Sequence, residues 1–206
     1  MFISFEGIDF CGKSTQVELL KGHLLNHKKK VKIIREPGGT EISEKIRDIL
    51  LDRSNSKMVM ETEIFLFSAS RAQLVREVIR PALNDGYYVI SDRFHDSSTA
   101  YQGYGRGLSV EDILNIHNLA IGKTVPDVTF IIDIPTAVAL ERKNKKLNSE
   151  LDRIEVSENN FYERVRNGYL ELSKKEKRFR VIDGTEPIQT IHEKIIIEVN
   201  LLEGKL

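Results

Sequence analysis

Short apolar runs alternate along the chain with stretches in which apolar residues return every three or four positions. Phe2, Ile3 and Phe5 form the first run, and Val17, Leu19, Leu20, Leu24 and Leu25 follow at helical spacing. Val31 to Ile34 predicts a second strand. Glu41 to Leu51 predicts a helix with Ile42, Ile46, Ile49 and Leu50 to one side and Arg47 away from them. A longer helix is predicted from about Glu61 to Leu83, with Pro81 near its end marking a kink or a cap. After the turn Asn84-Asp85-Gly86, Tyr87 to Ile90 predicts a third strand; Val128 to Asp133 predicts a fourth, apolar on both faces, and Arg180 to Ile182 a short fifth. The remaining helices are predicted from Ser109 to about Gly122, Ser157 to Lys175 and Ile188 to Leu202. Strands buried on both faces and separated by helices predict an α/β fold, a doubly wound five-stranded parallel sheet flanked by helices. A length of 206 residues, without internal repeats, suits one such domain over 1–206.

The first strand and first helix are joined by Gly7-Ile8-Asp9-Phe10-Cys11-Gly12-Lys13-Ser14, the pattern G-x-x-x-x-G-K-[ST]. Gly7 and Gly12 allow backbone conformations that turn successive N–H groups inward, toward phosphate oxygens. Lys13 supplies a point charge for the β- and γ-phosphates, and the Ser14 hydroxyl suits Mg²⁺. The helix beginning there adds the positive end of its dipole. A glycine-rich turn beside a surface lysine has the same short pattern, but the strand before it and the helix after it select the phosphate-binding reading.

Lys plus Arg and Asp plus Glu both number 31, so the formal charge is zero and general nucleic-acid binding is not indicated. Cys11 is the sole cysteine, which rules out an intrachain disulfide and points to a reducing, cytoplasmic setting. Neither a secretory leader nor a membrane span is expected.

Several polar segments follow strand ends, where open α/β sheets bind ligands. Arg35-Glu36-Pro37-Gly38-Gly39-Thr40 is expected as a loop after the second strand. Ser91-Asp92-Arg93-Phe94 puts a charged pair directly at the end of a buried strand, a costly placement without partners. The segment from Ser97 to Gly107 carries hydroxyls, glycines, Gln102 and two tyrosines suited to a small polar molecule. Asp133 ends the fourth strand either as a water-mediated Mg²⁺ ligand or as a cap ahead of Pro135. Arg142 to Arg153 is strongly basic, either a solvated face or a cationic lid.

Taken in order, these motifs resemble the bacterial thymidylate kinases, a branch of the P-loop nucleoside monophosphate kinases. The phosphate loop with Asp9, Arg35 to Thr40, Phe67 with Arg71, Asp92-Arg93-Phe94, Tyr101-Gln102-Gly103, Asp152-Arg153-Ile154-Glu155 and Gly168 to Leu172 carry the likeness over nearly the whole chain. The resemblance implies a P-loop NTPase fold with a short lid at about 142–153, and transfer of the ATP γ-phosphoryl group to dTMP in dTTP biosynthesis. It implies ATP binding by Gly7, Ile8, Asp9, Phe10, Cys11, Gly12, Lys13, Ser14 and Thr15, with Mg²⁺ on Ser14 and Asp92. For dTMP, it implies Phe67 stacked on thymine, Arg71 at the base edge, and Arg47 and Arg93 on the phosphate. Asp9 would receive the 3′-hydroxyl and Tyr101 would crowd the 2′ position, with Ser98, Gln102 and Glu36 completing the pocket. The implied catalytic set is Lys13, Asp9, Arg93, Arg142 and Arg153. Phe10 and Cys11 provide no arginine in the phosphate loop, which sends that role to the lid. There Lys145 and Lys146 stand where arginines are common, leaving Arg142 and Arg153; Arg142 is also a candidate to stack on adenine, beside Asp183-Gly184-Thr185. A homodimer formed through helices is implied as well. Cys11 is expected as a small filler whose thiolate Lys13 is near enough to stabilise, so alkylation should inactivate and ATP protect.

Two other readings share the phosphate loop. A kinase with a different acceptor is opposed only by Phe67, Arg71 and Tyr101. A nucleotide-dependent switch is opposed by Asn144-Lys145-Lys146-Leu147, which lacks the aspartate of the guanine-reading sequence.

Overall fold

The most apolar runs become the centre of the sheet because a parallel strand there has no solvated face. In the computed structural model, which describes residues 1–145, 153–154 and 159–204, the strands are β1 (Phe2–Glu6), β2 (Val31–Arg35), β3 (Tyr88–Asp92), β4 (Val128–Asp133) and β5 (Phe179–Asp183). Their order is β2-β3-β1-β4-β5 and every pairing is parallel, with Ile3 opposite both Ile90 and Val128. The pleat divides apolar residues between the two faces: Ile3, Phe5 and Ile90 join one core cluster, while Phe2 and Val89 join the other. From β1 the chain runs out to β2, returns through β3 and then crosses to β4, which makes the carboxyl end of β1 a topological switch point.

The described helices are α1 (Lys13–Asn26), α2 (Glu41–Leu51), α3 (Met60–Leu74), α4 (Arg80–Asn84), α5 (His95–Ser98), α6 (Val110–Ile121), α7 (Thr136–Lys145), α8 (Asn159–Ser173) and α9 (Ile188–Glu203). Thr40 caps α2 by accepting from the Ser43 amide, and Ser109 caps α6 by accepting from Asp112. The long predicted helix is realised in pieces: a π-helical turn, Val75–Ile79, joins α3 to α4 immediately before Pro81. Proline lacks the N–H for the ordinary i→i−4 bond, and the wider turn absorbs that defect. Among the described residues no helix is long and apolar enough to cross a membrane.

Two local expectations change. Leu25 does not join Val17, Leu20 and Leu24 in the core; it is exposed near the end of α1. The segment 97–107 has no helical period, yet it is helical: α5 runs into a π-helical turn, Thr99–Gly105, buried against α3, α6 and α8. Packing overrides weak local propensity here, since a Cβ on Gly105 would lie 2.6 Å from the Phe161 ring. Of the basic segment, Arg142 to Lys145 end α7, and Lys146 to Asp152 lie outside the described residues.

Candidate active site

The loop after β1 wraps around the ammonium of Lys13, which donates to Gly7 O at 3.1 Å and Ile8 O at 3.0 Å. A Cβ at Gly7, where φ is 134°, would sit 2.5 Å from Ile132 O, so glycine is required both for its conformation and for the approach to β4. Gly12, with φ 104°, turns the chain into α1. The next residue of the helix, Ser14, donates from its hydroxyl to Asp92 Oδ2 at 2.6 Å, joining the loop to the end of β3. A hydroxyl beside a carboxylate is an oxygen donor pair suited to Mg²⁺, which also takes phosphate and water oxygens and needs no larger protein cage. The described residues contain no cluster of three or more His, Cys, Asp or Glu able to hold a metal.

Arg93 follows Asp92 with φ 70°, an uncommon conformation for a residue with a side chain. Its guanidinium donates to Asp9 Oδ1, Gly7 O, Ser97 Oγ, Tyr101 OH and Tyr169 OH, and these contacts hold the turn in place. Burial opposes ionisation of Asp9, but Arg93 and Lys13 outweigh it and hold the carboxyl below its ordinary range. Asp9 also accepts from Tyr101 OH at 3.0 Å and Tyr162 OH at 3.3 Å. Burial, helped by Asp9 and opposed by Arg93, keeps the Tyr101 phenol protonated.

Farther along the cavity Arg71, only 1% exposed, donates from Nε to Glu36 Oε2 at 2.6 Å and from Nη2 to Ser98 Oγ at 3.0 Å. Burial pushes the Glu36 carboxyl up to about 7, Arg71 pulls against that shift, and Glu6 adds to it. Arg47 reaches back from α2 to Pro37 O at 2.8 Å. Phe67, one turn before Arg71 on α3, faces the same space, as do Ser98, Tyr101 and Gln102.

The charged and aromatic groups at the heart of this arrangement, from Lys13, Asp9 and Arg93 to Glu36, Phe67 and Arg71, border one cavity of about 690 Å³ at the carboxyl edge of the sheet. Of the residues anticipated from sequence, Asp9, Phe10, Cys11, Gly12, Lys13, Ser14 and Thr15 line its phosphate-loop end. Glu36, Arg47, Phe67, Arg71, Asp92, Arg93, Ser98, Tyr101, Gln102 and Arg142 line the rest. Gly7, Ile8 and Arg153 do not line it. Gly7 and Ile8 shape the loop from behind, and Arg153 pairs instead with Glu63. Arg142 spans the donor end, donating to Cys11 O at 3.2 Å and Gly184 O at 2.9 Å. Lys145 pairs with Glu141 on the helix surface, and Lys146 falls outside the described residues.

Asp133 does not line the cavity. Its carboxylate is held by Arg166 of α8 through two hydrogen bonds of 2.7 and 2.8 Å. Cys11 is buried in the core cluster, 1% exposed, with Lys13 Nζ 3.6 Å from Sγ; it fills space, as the sequence led us to expect. Sequence reasoning gave no individual role to Glu6 or Tyr169, and placed Ser97 only within a polar segment suited to a small molecule. Glu6 is fully buried and accepts from Phe94 N, Ser97 Oγ and Tyr169 OH, which in turn meet Arg93. A carboxylate at the end of a buried strand was the available signal, because such a group must have partners.

The chain is similar to known proteins over nearly its whole length. The thymidylate kinase family matches residues 5–195 of the chain. A thymidylate kinase of Kosmotoga olearia is 49% identical over 207 residues, covering 100% of this chain and 98% of its own. One from Thermosipho africanus is 50% identical over 203 residues, 98% of this chain and 99% of its own. The crystal structure of thymidylate kinase from Ehrlichia chaffeensis superposes with a TM-score of 0.77 at 34% identity, covering 97% of this chain and 98% of that one. With a phosphate loop at one end of the cavity and a buried arginine beside an aromatic ring at the other, the chain belongs to the thymidylate kinase family.

Proposed function

We propose that this chain carries out its family's reaction, transfer of the ATP γ-phosphoryl group to dTMP to give dTDP, with donor and acceptor at opposite ends of the one cavity. The observation that carries the assignment is the continuity of that cavity from Lys13 to Arg71. At the donor end the phosphate-loop amides, Lys13 and the start of α1 receive the ATP phosphates. Ser14 and Asp92 would hold Mg²⁺, which when bound neutralises charge on the phosphates. Arg142, between the loop carbonyls and Gly184, is at the donor end and is assigned there in preference to Arg153.

At the acceptor end Phe67 offers a ring face to thymine, while Arg71 and Ser98 offer donors to its edge. Arg47 and Arg93 present guanidinium forks to the dTMP phosphate, and that clamp aligns the acceptor oxygen for in-line attack. Asp9, kept ionised by Arg93 and Lys13, accepts from the 3′-hydroxyl, and Tyr101 closes off the 2′ position. The test is purified protein with ATP, Mg²⁺ and a panel of nucleoside monophosphates. dTMP is expected to react best, and a clear preference for another acceptor overturns the assignment. A methyl group in a pocket is worth roughly 1–3 kcal/mol, so dUMP is expected to react about 10- to 200-fold less efficiently.

The same reading includes a cytoplasmic homodimer. It is supported by the unpaired thiol of Cys11 and by apolar side chains exposed on three neighbouring helices: Ile42 and Ile49 on α2, Phe65 on α3 and Leu114 on α6.

A further inference from the structure

Glu63 lies on α3 with its carboxylate buried, the residue being only 2% exposed. Removing a carboxylate from water is costly unless charged partners and hydrogen bonds surround it. Here they come from separate parts of the chain. Oε1 accepts from Gln102 Nε2 at 2.8 Å, with Arg106 Nε 3.6 Å away, and Oε2 accepts from Arg153 Nη2 at 2.5 Å. Arg153 is fixed further by the end of α2, its Nε donating to Leu50 O at 2.8 Å and its amide to Leu51 O at 3.3 Å.

We propose that Glu63 is a positioning residue that couples the acceptor pocket to Arg153. Gln102 is part of the cavity wall beside Arg71, and Leu51 and Ile154, the neighbours of Arg153's anchor and of Arg153 itself, line the same cavity. One rigid carboxylate thus holds both a wall of the pocket and an arginine of the basic segment. An apolar residue of similar volume often fills such a site with no loss of stability, so what the carboxylate adds is the fixed placement of its two partners. Displacement of Gln102 by an acceptor releases one oxygen of the carboxylate whose other oxygen holds Arg153, and the reverse holds equally. The inference rests on dTMP occupying this cavity.

A double-mutant cycle reads the coupling directly. Gln102→Ala, Arg153→Ala and the double variant are compared for kcat/KM toward dTMP at saturating ATP, in the native and the Glu63→Gln backgrounds. With Glu63 present, the double variant is expected to depart from the product of the single effects by about fivefold or more; in the Glu63→Gln background the effects multiply to within about twofold. Glu63→Gln alone is expected to raise KM for dTMP about tenfold and leave KM for ATP within about twofold, whereas mere destabilisation lowers the active fraction at unchanged KM. Multiplicative effects in the native background, or equal movement of both KM values, overturn the proposal. If Glu63→Gln fails to fold, the three variants in the native background decide alone. Undiminished dTMP affinity in an Arg71→Ala control overturns the acceptor placement, and the coupling falls with it. A weakened Arg71→Ala variant beside multiplicative Gln102 and Arg153 effects overturns the role of Glu63 alone.

Discussion

Glu36 shows how one buried residue records its surroundings. Its carboxyl, pushed up to about 7, keeps its proton in the folded protein over a range where the unfolded chain has released it. The resulting stabilisation is full below about pH 4.5 and is lost as pH rises through 7. Between pH 5.5 and 8 the native protein is expected to lose about 2 kcal/mol relative to a Glu36→Gln variant, measured by urea unfolding at each pH. A difference between the two proteins that does not change with pH would show that the carboxyl ionises normally. Cys11 makes the other prediction at this scale. Its Sγ is enclosed by the phosphate loop and the core, so alkylation of the native protein is expected to run at least about tenfold slower than alkylation of the unfolded chain, because labelling waits for local opening. Rapid labelling that ATP suppresses would show that the thiol reacts in the folded protein.

At the scale of elements, α8 matters because it carries Tyr162 and Tyr169 to Asp9 and Arg93. It reaches them by lying close against the π-helical turn Thr99–Gly105, with Gly168 over Tyr104. A Cβ at Gly168 would meet the Tyr104 side chain at 2.7 Å. Gly168→Ala is therefore expected to destabilise the protein by about 1–3 kcal/mol through overpacking. At roughly 2–4 °C per kcal/mol for a chain of this size, thermal unfolding should show a drop of several degrees. The phosphorylation rate should fall with it, and an unchanged melting temperature would mean that α8 yields without cost. The π turn also marks where periodicity failed as a guide. No apolar stripe announced a helix there, because Gly105 serves close packing against Phe161 and Val165 of α8, which are distant in sequence.

For the whole molecule, the exposed apolar side chains of α2, α3 and α6 bear on assembly. Phe65 is 60% exposed, with Ile49 and Leu114 exposed on the helices packed beside it. Phe65→Arg is expected to shift sedimentation from dimer to monomer while leaving the circular dichroism spectrum unchanged. A native protein that sediments as a monomer at micromolar concentration would show that this face has no second copy on it.

The phosphate loop, the five strands and the order of the strand-end motifs were determined by the sequence alone. Each depends on a local requirement: a positive φ at Gly7 and Gly12, burial on both faces of β1 and β4, or a break at Pro37 and Gly38. Which charges meet was decided only by the tertiary structure. Asp133, which the sequence left open between a site acid and a cap, meets Arg166; Arg153, a candidate lid cation by resemblance, meets Glu63. Glu6 and Glu63, which had no role assigned from sequence, are buried acceptors. A side chain's residue type fixes what it can donate or accept, but its partners lie on strands and helices distant in sequence. The charge and desolvation terms that choose among them exist only once the sheet order has brought those elements together.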